Sequence, residues 1–369
     1  MDSKHHLKWL GAVVALAVTA GLAPASASAA EAVKSSKTAP GLTKAAERAG
    51  GAGASTDEAL SAYWTPERMK AAKPADEAPA IEQAEADQKL EAGEDLADAR
   101  QDAAQGEQPA PTGPAGKVEP RQPRPTSPAL KTKPLAKASA VNPGYPYYSF
   151  QARTAGKVFF TKSNGLNYVC SGTIVNTGGR NSVWTAGHCV HDGGSGGRYH
   201  RNWVFVPSYS YGWAPYGVWS ARLLFSTAGW INSRDFASDM AVAIMNTNYG
   251  YRIVDYLGGQ GLTWNQSKRI GVTSFGYPQD APFNGASLWT CPGGTFPEWE
   301  VLWWSAETLG LPCDMTGGSS GGGWLAFFNG TTGYLNGNNS YGYASSPGIM
   351  YSPYYDDTAS TLYSITGPL

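Results

Sequence analysis

Residues Ser182–Cys189 read S-V-W-T-A-G-H-C, a short apolar run followed by two small residues and then a histidine beside a cysteine. The β-branched and aromatic start has strand character, and Gly187 marks the turn that ends it, so His188 stands at a strand end. The same texture extends outward from about residue 141. KVFF (157–160), YVCSGTIV (168–175), WVFVP (203–207), MAVAIM (240–245), RIGVTSFGY (269–277) and VLWW (301–304) are strand-like. SNG (163–165), NTGG (176–179), HDGGSGG (191–197) and NGNN (336–339) are turn-like. There is no long 3.6-residue apolar periodicity and no repeat at fixed period. Many short strands separated by turn signals predict an all-β barrel or sandwich in one domain.

A length of 369 residues taken alone favours two domains, but the composition is uneven. Of 13 Trp, 20 Tyr and 11 Phe, only Trp9, Tyr63 and Trp64 precede residue 141, and all four cysteines follow it. The first part has little from which to build a core. The sequence therefore reads as one globular domain, 141–369, behind a long leader that is largely disordered. The formal net charge is −1, and residues 141–369 carry 11 basic and 11 acidic side chains. That balance gives no electrostatic reason to expect nucleic acid or an anionic membrane as partner.

The leader divides in two. Residues 1–30 carry a basic cluster (Lys4, His5, His6, Lys8), an apolar run from Trp9 to Ala23, and the small-residue stretch PASASAA. This is the pattern of a secretory signal peptide, and the apolar run is short of the ~20 residues that span a bilayer. The chain is expected to be exported, soluble and exposed to oxidising conditions. Residues 31–140 are rich in Ala, Glu, Lys, Gln and Pro, with a Pro-rich linker near 106–136. Within them, Ser55–Ala72 suggests one or two short helices, with Ser55 and Glu58 as a capping box and Pro66 in a first turn. Two readings stand for that stretch. It is a transient amphipathic patch, or it is a pro-segment that lays Tyr63 and Trp64 against the folded domain.

Three places carry chemistry. His188 ends its strand; Asp239 immediately precedes the apolar strand MAVAIM; and C-D-M-T-G-G-S-S-G-G-G-W (313–324) packs glycines around Ser320. A serine hydroxyl needs a neutral imidazole to take its proton, and the imidazole needs a buried carboxylate to fix its tautomer. The oxyanion needs pre-aimed N–H donors, and the glycines let the Gly318 and Ser320 amides serve. Asp235 competes with Asp239 as the acid and Ser319 with Ser320 as the nucleophile.

TAGHC, the D-x-A-x-A strand start and GGSSGG, in this order, resemble the chymotrypsin-clan serine peptidases, in particular the secreted bacterial branch that includes V8-like glutamyl endopeptidases. The resemblance covers about residues 150–369. It implies two antiparallel six-stranded β-barrels with the site between them. His188 would be the general base, Asp239 the orienting acid and Ser320 the nucleophile, with no cofactor or metal and a protein or peptide as substrate. It also implies a Cys170–Cys189 disulfide, which leaves Cys291–Cys313, although four cysteines allow three pairings. Asp314 stands six residues before Ser320, where trypsin-like relatives keep a carboxylate for Lys or Arg. Glutamyl relatives share that spacing and put a histidine where this chain has Asn339, with Ser340 then available to bind substrate backbone. Because Ser319 stands where animal relatives carry an aspartate for a freed N-terminus, activation by that ion pair is not expected. A cut within Ala138–Pro146 is expected instead, giving a monomeric domain.

Three competing readings follow from the same residues. G-x-S-x-G at 318–322 also fits the nucleophile elbow of α/β-hydrolases, but those place histidine after serine, and no histidine follows His200. His188, Cys189, His191, Asp192 and His200 crowd together as in a zinc site, yet an exported Cys189 is expected to be oxidised. Finally, the aromatic richness fits a catalytically silent binder of cell wall or carbohydrate.

Overall fold

The computed structural model describes residues 32–36, 41–75, 115–123, 145–298, 308–343 and 348–369. The expected signal peptide, most of the Pro-rich linker and VLWW lie outside the described residues.

Three short strands come from the N-terminal segment: β1 (Val33–Ser35), β2 (Lys73–Pro74) and β3 (Gly116–Val118). The domain then opens with β4 (Ala155–Thr161), β5 (Asn167–Val175), β6 (Ser182–Thr185), β7 (Arg201–Pro207), β8 (Trp219–Thr227) and β9 (Ala241–Met245). These six run in the order β8-β7-β4-β5-β6-β9, and β9 pairs back onto β8, so the ring closes and every neighbour is antiparallel. The ring closes by these pairings, while β6 meets β5 only at Thr173–Val175, so the earlier part of β5 takes β2, and β8 also takes β1.

The barrel strands read as continuous apolar runs because both of their faces are covered. Alternation sends Val158, Phe160, Cys170, Ile174, Phe205 and Leu224 into one cluster, the barrel interior. Their neighbours Phe159, Val169, Val204, Val206 and Val242 join a second cluster outside it. That outer cluster is where the N-terminal segment docks. Helices at Lys44–Gly50, Thr56–Tyr63 and Pro66–Ala71 present Leu60, Trp64 and Met69 to it. Ser55 and Glu58 form both halves of the capping box, and Pro66 opens the third helix. Trp64 is 2% exposed; its Nε1 donates to the Asn202 carbonyl at 2.8 Å while its ring meets Phe159. Tyr63 donates to Asn167 Oδ1 at 3.0 Å. The segment's own composition supplies little core; the barrel's outer face supplies the rest.

The second half comprises β10 (Gly261–Trp264), β11 (Gly271–Gly276), β12 (Trp289–Gly294), β13 (Phe296–Pro297), β14 (Thr308–Pro312), β15 (Gly323–Ala326), β16 (Tyr334–Asn338) and β17 (Ile349–Pro353). One sheet runs β12-β11-β15-β16-β10-β3, with β10 and β16 parallel; a second runs β13-β14-β17. A C-terminal helix, Asp357–Thr366, is capped by the Asp356 side chain and buries Ala359 and Leu362. Sequence reading missed it, since Thr and Ser lower its helix propensity and its apolar stripe is brief.

The aromatic abundance goes mostly into the interior. Trp184, Trp203, Trp219, Trp230 and Trp324 are fully buried, and the large exposed apolar side chains include Tyr148, Tyr211 and Phe327. Among the described residues no helix is long and apolar enough to cross a membrane.

Candidate active site

His188 sits in a single 3-10 turn, Gly187–Cys189, at the end of β6. Gly187 is required there: a Cβ would lie 2.9 Å from Asp239 Oδ1 and 2.7 Å from the Trp230 ring. The space a side chain would fill is taken by the acid. Asp239 is wholly buried between the turn Phe236–Ser238 and β9. Its Oδ1 accepts the His188 backbone N–H at 2.8 Å, and its Oδ2 meets His188 Nδ1 at 2.8 Å. Ser340 Oγ donates to the same Oδ2 at 2.5 Å. Three partners on one carboxylate fix its direction.

The ring is supported from behind as well. The Nε2 of His200 lies 3.0 Å from the His188 carbonyl, and the ring stacks on Phe160 at 4.5 Å. Burial holds the His200 imidazole down to about 3, so at neutral pH it is uncharged and donates from Nε2. Asn338 Nδ2 donates to the Asp239 carbonyl at 3.3 Å and is itself oriented by the Tyr355 hydroxyl at 3.0 Å. Asp235 is turned to a local task, since its carboxylate accepts from Ala237 N at 3.0 Å and Ser238 Oγ at 2.7 Å, capping its own turn.

Opposite stands the loop around Ser320. Ser319 Oγ is bonded to the Thr316 carbonyl at 2.8 Å, whereas Ser320 is 6% exposed. Gly321, at φ +78, packs where a Cβ would run into Thr185 Oγ1 and lie 2.5 Å from the Ser171 carbonyl. Glycine there brings the serine turn flush against the strand that ends at His188. Ser171 fastens the loop: its N–H donates to the Ser320 carbonyl at 2.6 Å and its Oγ to the Gly318 carbonyl at 3.0 Å.

Peptide planarity sets the direction of the two candidate oxyanion amides. The Gly317 carbonyl accepts from Gln279 N at 2.6 Å, so the N–H of Gly318 points the opposite way. The Ser319 carbonyl accepts from Gly322 N and Asn339 Nδ2, both at 3.0 Å, so the N–H of Ser320 is likewise turned away. Two disulfides anchor these parts. Cys170–Cys189 (Cα separation 6.2 Å) ties β5 to the residue after His188, and Cys291–Cys313 (5.5 Å) ties β12 to the approach to the serine loop. Each closes a loop worth about 3 kcal/mol in the chain-entropy model.

Two expected substrate contacts sit differently. Asp314 is exposed, so it lacks the desolvation by which a pocket-floor carboxylate selects a cation. Ser340 is buried, with its hydroxyl engaged by Asp239 and its N–H by the Tyr351 carbonyl at 2.9 Å. Sequence reading overlooked Ser171, Gln279 and Asn338, and named His200 only among possible zinc ligands. The available signal was an isolated polar residue inside an apolar strand, as with Ser171 in YVCSGTIV. Cys170, His188 and Cys189 offer three metal-ligand atoms within 4.8 Å of one another, but both sulfurs are spent in the disulfide.

No family model matches the sequence. A curated relative, an extracellular metalloprotease of Bacillus subtilis, is 31% identical over 133 residues, 33% of this chain; the match spans 37% of that relative's length. Two solved structures are similar over the domain. A thermostable serine protease, AL20, from an extremophilic microorganism is 40% identical, with a TM-score of 0.55 over 59% of this chain and 98% of that one. The protease Anisep from Arthrobacter nicotinovorans is 39% identical, with a TM-score of 0.55 over 59% and 97%. Given the closed antiparallel barrel with its second sheet, and these neighbours, the chain belongs to the serine peptidases of the chymotrypsin fold.

Proposed function

We propose that the chain is a secreted endopeptidase that cleaves peptide bonds through Ser320, His188 and Asp239 by way of an acyl-enzyme, and that it is made as a precursor. The observation that carries this reading is the double hold of Asp239 on His188, at the backbone N–H and at Nδ1. With Nδ1–H directed at a carboxylate, the neutral ring presents a lone pair at Nε2. That Nε2 is buried and makes no hydrogen bond among the described residues, which leaves it for the Ser320 hydroxyl and substrate.

Ser320 Oγ attacks the substrate carbonyl as His188 Nε2 takes its proton. The oxyanion is received by the N–H groups of Gly318 and Ser320, and the imidazolium is stabilised by Asp239. Collapse of the tetrahedral intermediate expels the amine, protonated by His188, and leaves an ester on Ser320. Water then repeats the sequence and frees the acid. Each oxyanion donor is worth roughly 2.7–4 kcal/mol.

Residues 1–30 are the export signal and residues 31 to about 140 the removable part in this reading. Asp314, being exposed, gives no reason to assign a basic preference. The test is hydrolysis of an unstructured protein such as casein by the wild-type chain and by Ser320→Ala. Loss of turnover in a variant with an unchanged thermal transition supports the reading. Retained turnover in Ser320→Ala refutes Ser320 as the nucleophile and points to another site, whereas no turnover by a folded wild-type chain favours the silent binder.

A further inference from the structure

One buried cation takes no part in the peptidase chemistry. Lys157, on β4, is 2% exposed, with its Nζ 2.7 Å from Gln279 Oε1 and 2.8 Å from the Gly285 carbonyl. The same Nζ sits over the rings of Tyr209 and Phe159, 5.2 and 5.6 Å from their centroids. Gly285, at φ +67, makes the room, since a Cβ there would lie 2.5 Å from Nζ and from Gln279 Oε1. A lysine ammonium carries three N–H donors. Two have acceptors, and among the described residues the third has none. Burial alone pushes Lys157 down to about 7, with no neighbouring charge to offset it. A buried ammonium without a counter-charge is costly, and pairing relieves that cost.

Lys157 lines a cavity of about 410 Å³, inside the range of about 300–1,000 Å³ that small-molecule sites occupy. Tyr209 and Tyr211 form one part of its wall, and Pro66, Glu67 and Lys70 of the third helix form another. Glu67 is the one carboxylate among the described lining residues, and it is committed elsewhere. It is fully exposed and held below the usual carboxylate range by its own backbone N–H and the Thr65 hydroxyl at the start of the helix. Asn284, also in the lining, accepts the Ala286 N–H with Oδ1 at 3.0 Å, which leaves its amide nitrogen as a donor. The cavity therefore offers two ammonium groups and N–H donors beside two tyrosines and a proline. That combination suits a molecule with an anionic end and an apolar body.

We propose that this cavity binds one small organic carboxylate, with its oxygens on Lys157 Nζ and its apolar body against Tyr209, Tyr211 and Pro66. The carboxylate gives the third N–H an acceptor and the ammonium a counter-charge. Lys70, exposed at the rim, adds a screened attraction. An inorganic phosphate would match the charge but leave the rings uncovered. Lys157 belongs to the barrel while Pro66 and Lys70 belong to the N-terminal segment, so the bound acid also ties the segment to the domain. Gln279 joins the site to the serine loop, because its Oε1 meets Lys157 and its N–H holds the Gly317 carbonyl at 2.6 Å. The site does not depend on Ser320 being a nucleophile.

The test is calorimetric titration of the full Ser320→Ala chain, its integrity checked by mass, with benzoate, benzamide and inorganic phosphate at neutral pH and constant ionic strength. Benzoate should bind once per chain. Benzamide, of the same shape without the charge, should bind at least about tenfold more weakly, the scale of one hydrogen bond to a charged group. Adding Lys157→Met to this parent should weaken benzoate at least about tenfold, and adding Lys70→Ala about twofold. Benzoate should also raise the melting temperature of the parent and leave that of the Lys157→Met protein unchanged. Should Lys157→Met fail to fold, Tyr211→Ala on a half-exposed ring carries the same test, with a loss of at least about threefold. No benzoate binding to the folded parent overturns the proposal, as does equal affinity in the parent and in the folded variants. Equal affinity for benzoate and benzamide, or tighter binding of phosphate than of benzoate, overturns the organic carboxylate as the ligand.

Discussion

Asp239 reaches His188 at two points, accepting the backbone N–H with Oδ1 and facing Nδ1 with Oδ2, each at 2.8 Å. One carboxylate thus fixes both where the histidine sits and which ring nitrogen carries the proton. Asp239→Asn keeps the shape but offers an amide that no longer holds the productive tautomer. The expected outcome is a fall in kcat of about 10⁴-fold with a small change in KM. Steady-state kinetics on a peptide anilide checks it, with circular dichroism to show that the fold persists.

Ser340 contributes a single donor to the same carboxylate, at 2.5 Å. Ser340→Ala should lower kcat by about tenfold, far less than loss of the acid, in line with one hydrogen bond to a charged group. Steady-state kinetics of the variant against wild type reads the loss.

Gly187 is held open by the acid and by Trp230, each within 3 Å of a would-be Cβ. Gly187→Ala should cost about 1–3 kcal/mol of stability through overpacking. It should also reduce kcat, because relief of the clash shifts Asp239 away from the ring. Urea unfolding together with anilide turnover separates the two losses.

Lys157, 2% exposed, is pushed down to about 7 by burial; its Nζ contacts Gln279 Oε1 at 2.7 Å and the Gly285 carbonyl at 2.8 Å. Its ordinary value is near 10.5, so between pH 7 and 10.5 the unfolded chain binds a proton that the folded chain does not. Stability from this group therefore rises with pH across that window and is lowest below about pH 7. Lys157→Met should flatten that rise and stabilise the protein most, relative to wild type, at the acid end. Melting temperatures of both proteins from pH 6 to 10 give the difference directly.

What could be read in the chain beforehand differs between the barrel and its surroundings. SVWTAGHC announces β6 and the turn at His188, since its apolar run and its glycine are local signals. Six of the runs read as strands are strands, because burial on both faces makes them continuous and apolar. The partners of Ser171, Gln279 and Asn338 were not legible, because each acts across more than 90 residues of chain to a group that only the fold brings near. Ser340 and Asp314 were placed by their positions in the family resemblance, and position in a motif carries no information about burial. The helices at 44–71 show the same limit. Their caps were legible in Ser55, Glu58 and Pro66, but their stability comes from Phe159 and Asn202 on a remote surface.

The central claim is that Ser320 is a nucleophile activated by His188. The direct measurement is labelling of the full chain with a peptidyl phosphonate fluorophore, followed by peptide mapping, in wild type, Asp239→Asn and Ser320→Ala. The account predicts one adduct, on Ser320, formed far more slowly in Asp239→Asn and absent in Ser320→Ala. An adduct on Ser319, or no adduct at any pH in a folded wild-type chain, would contradict it.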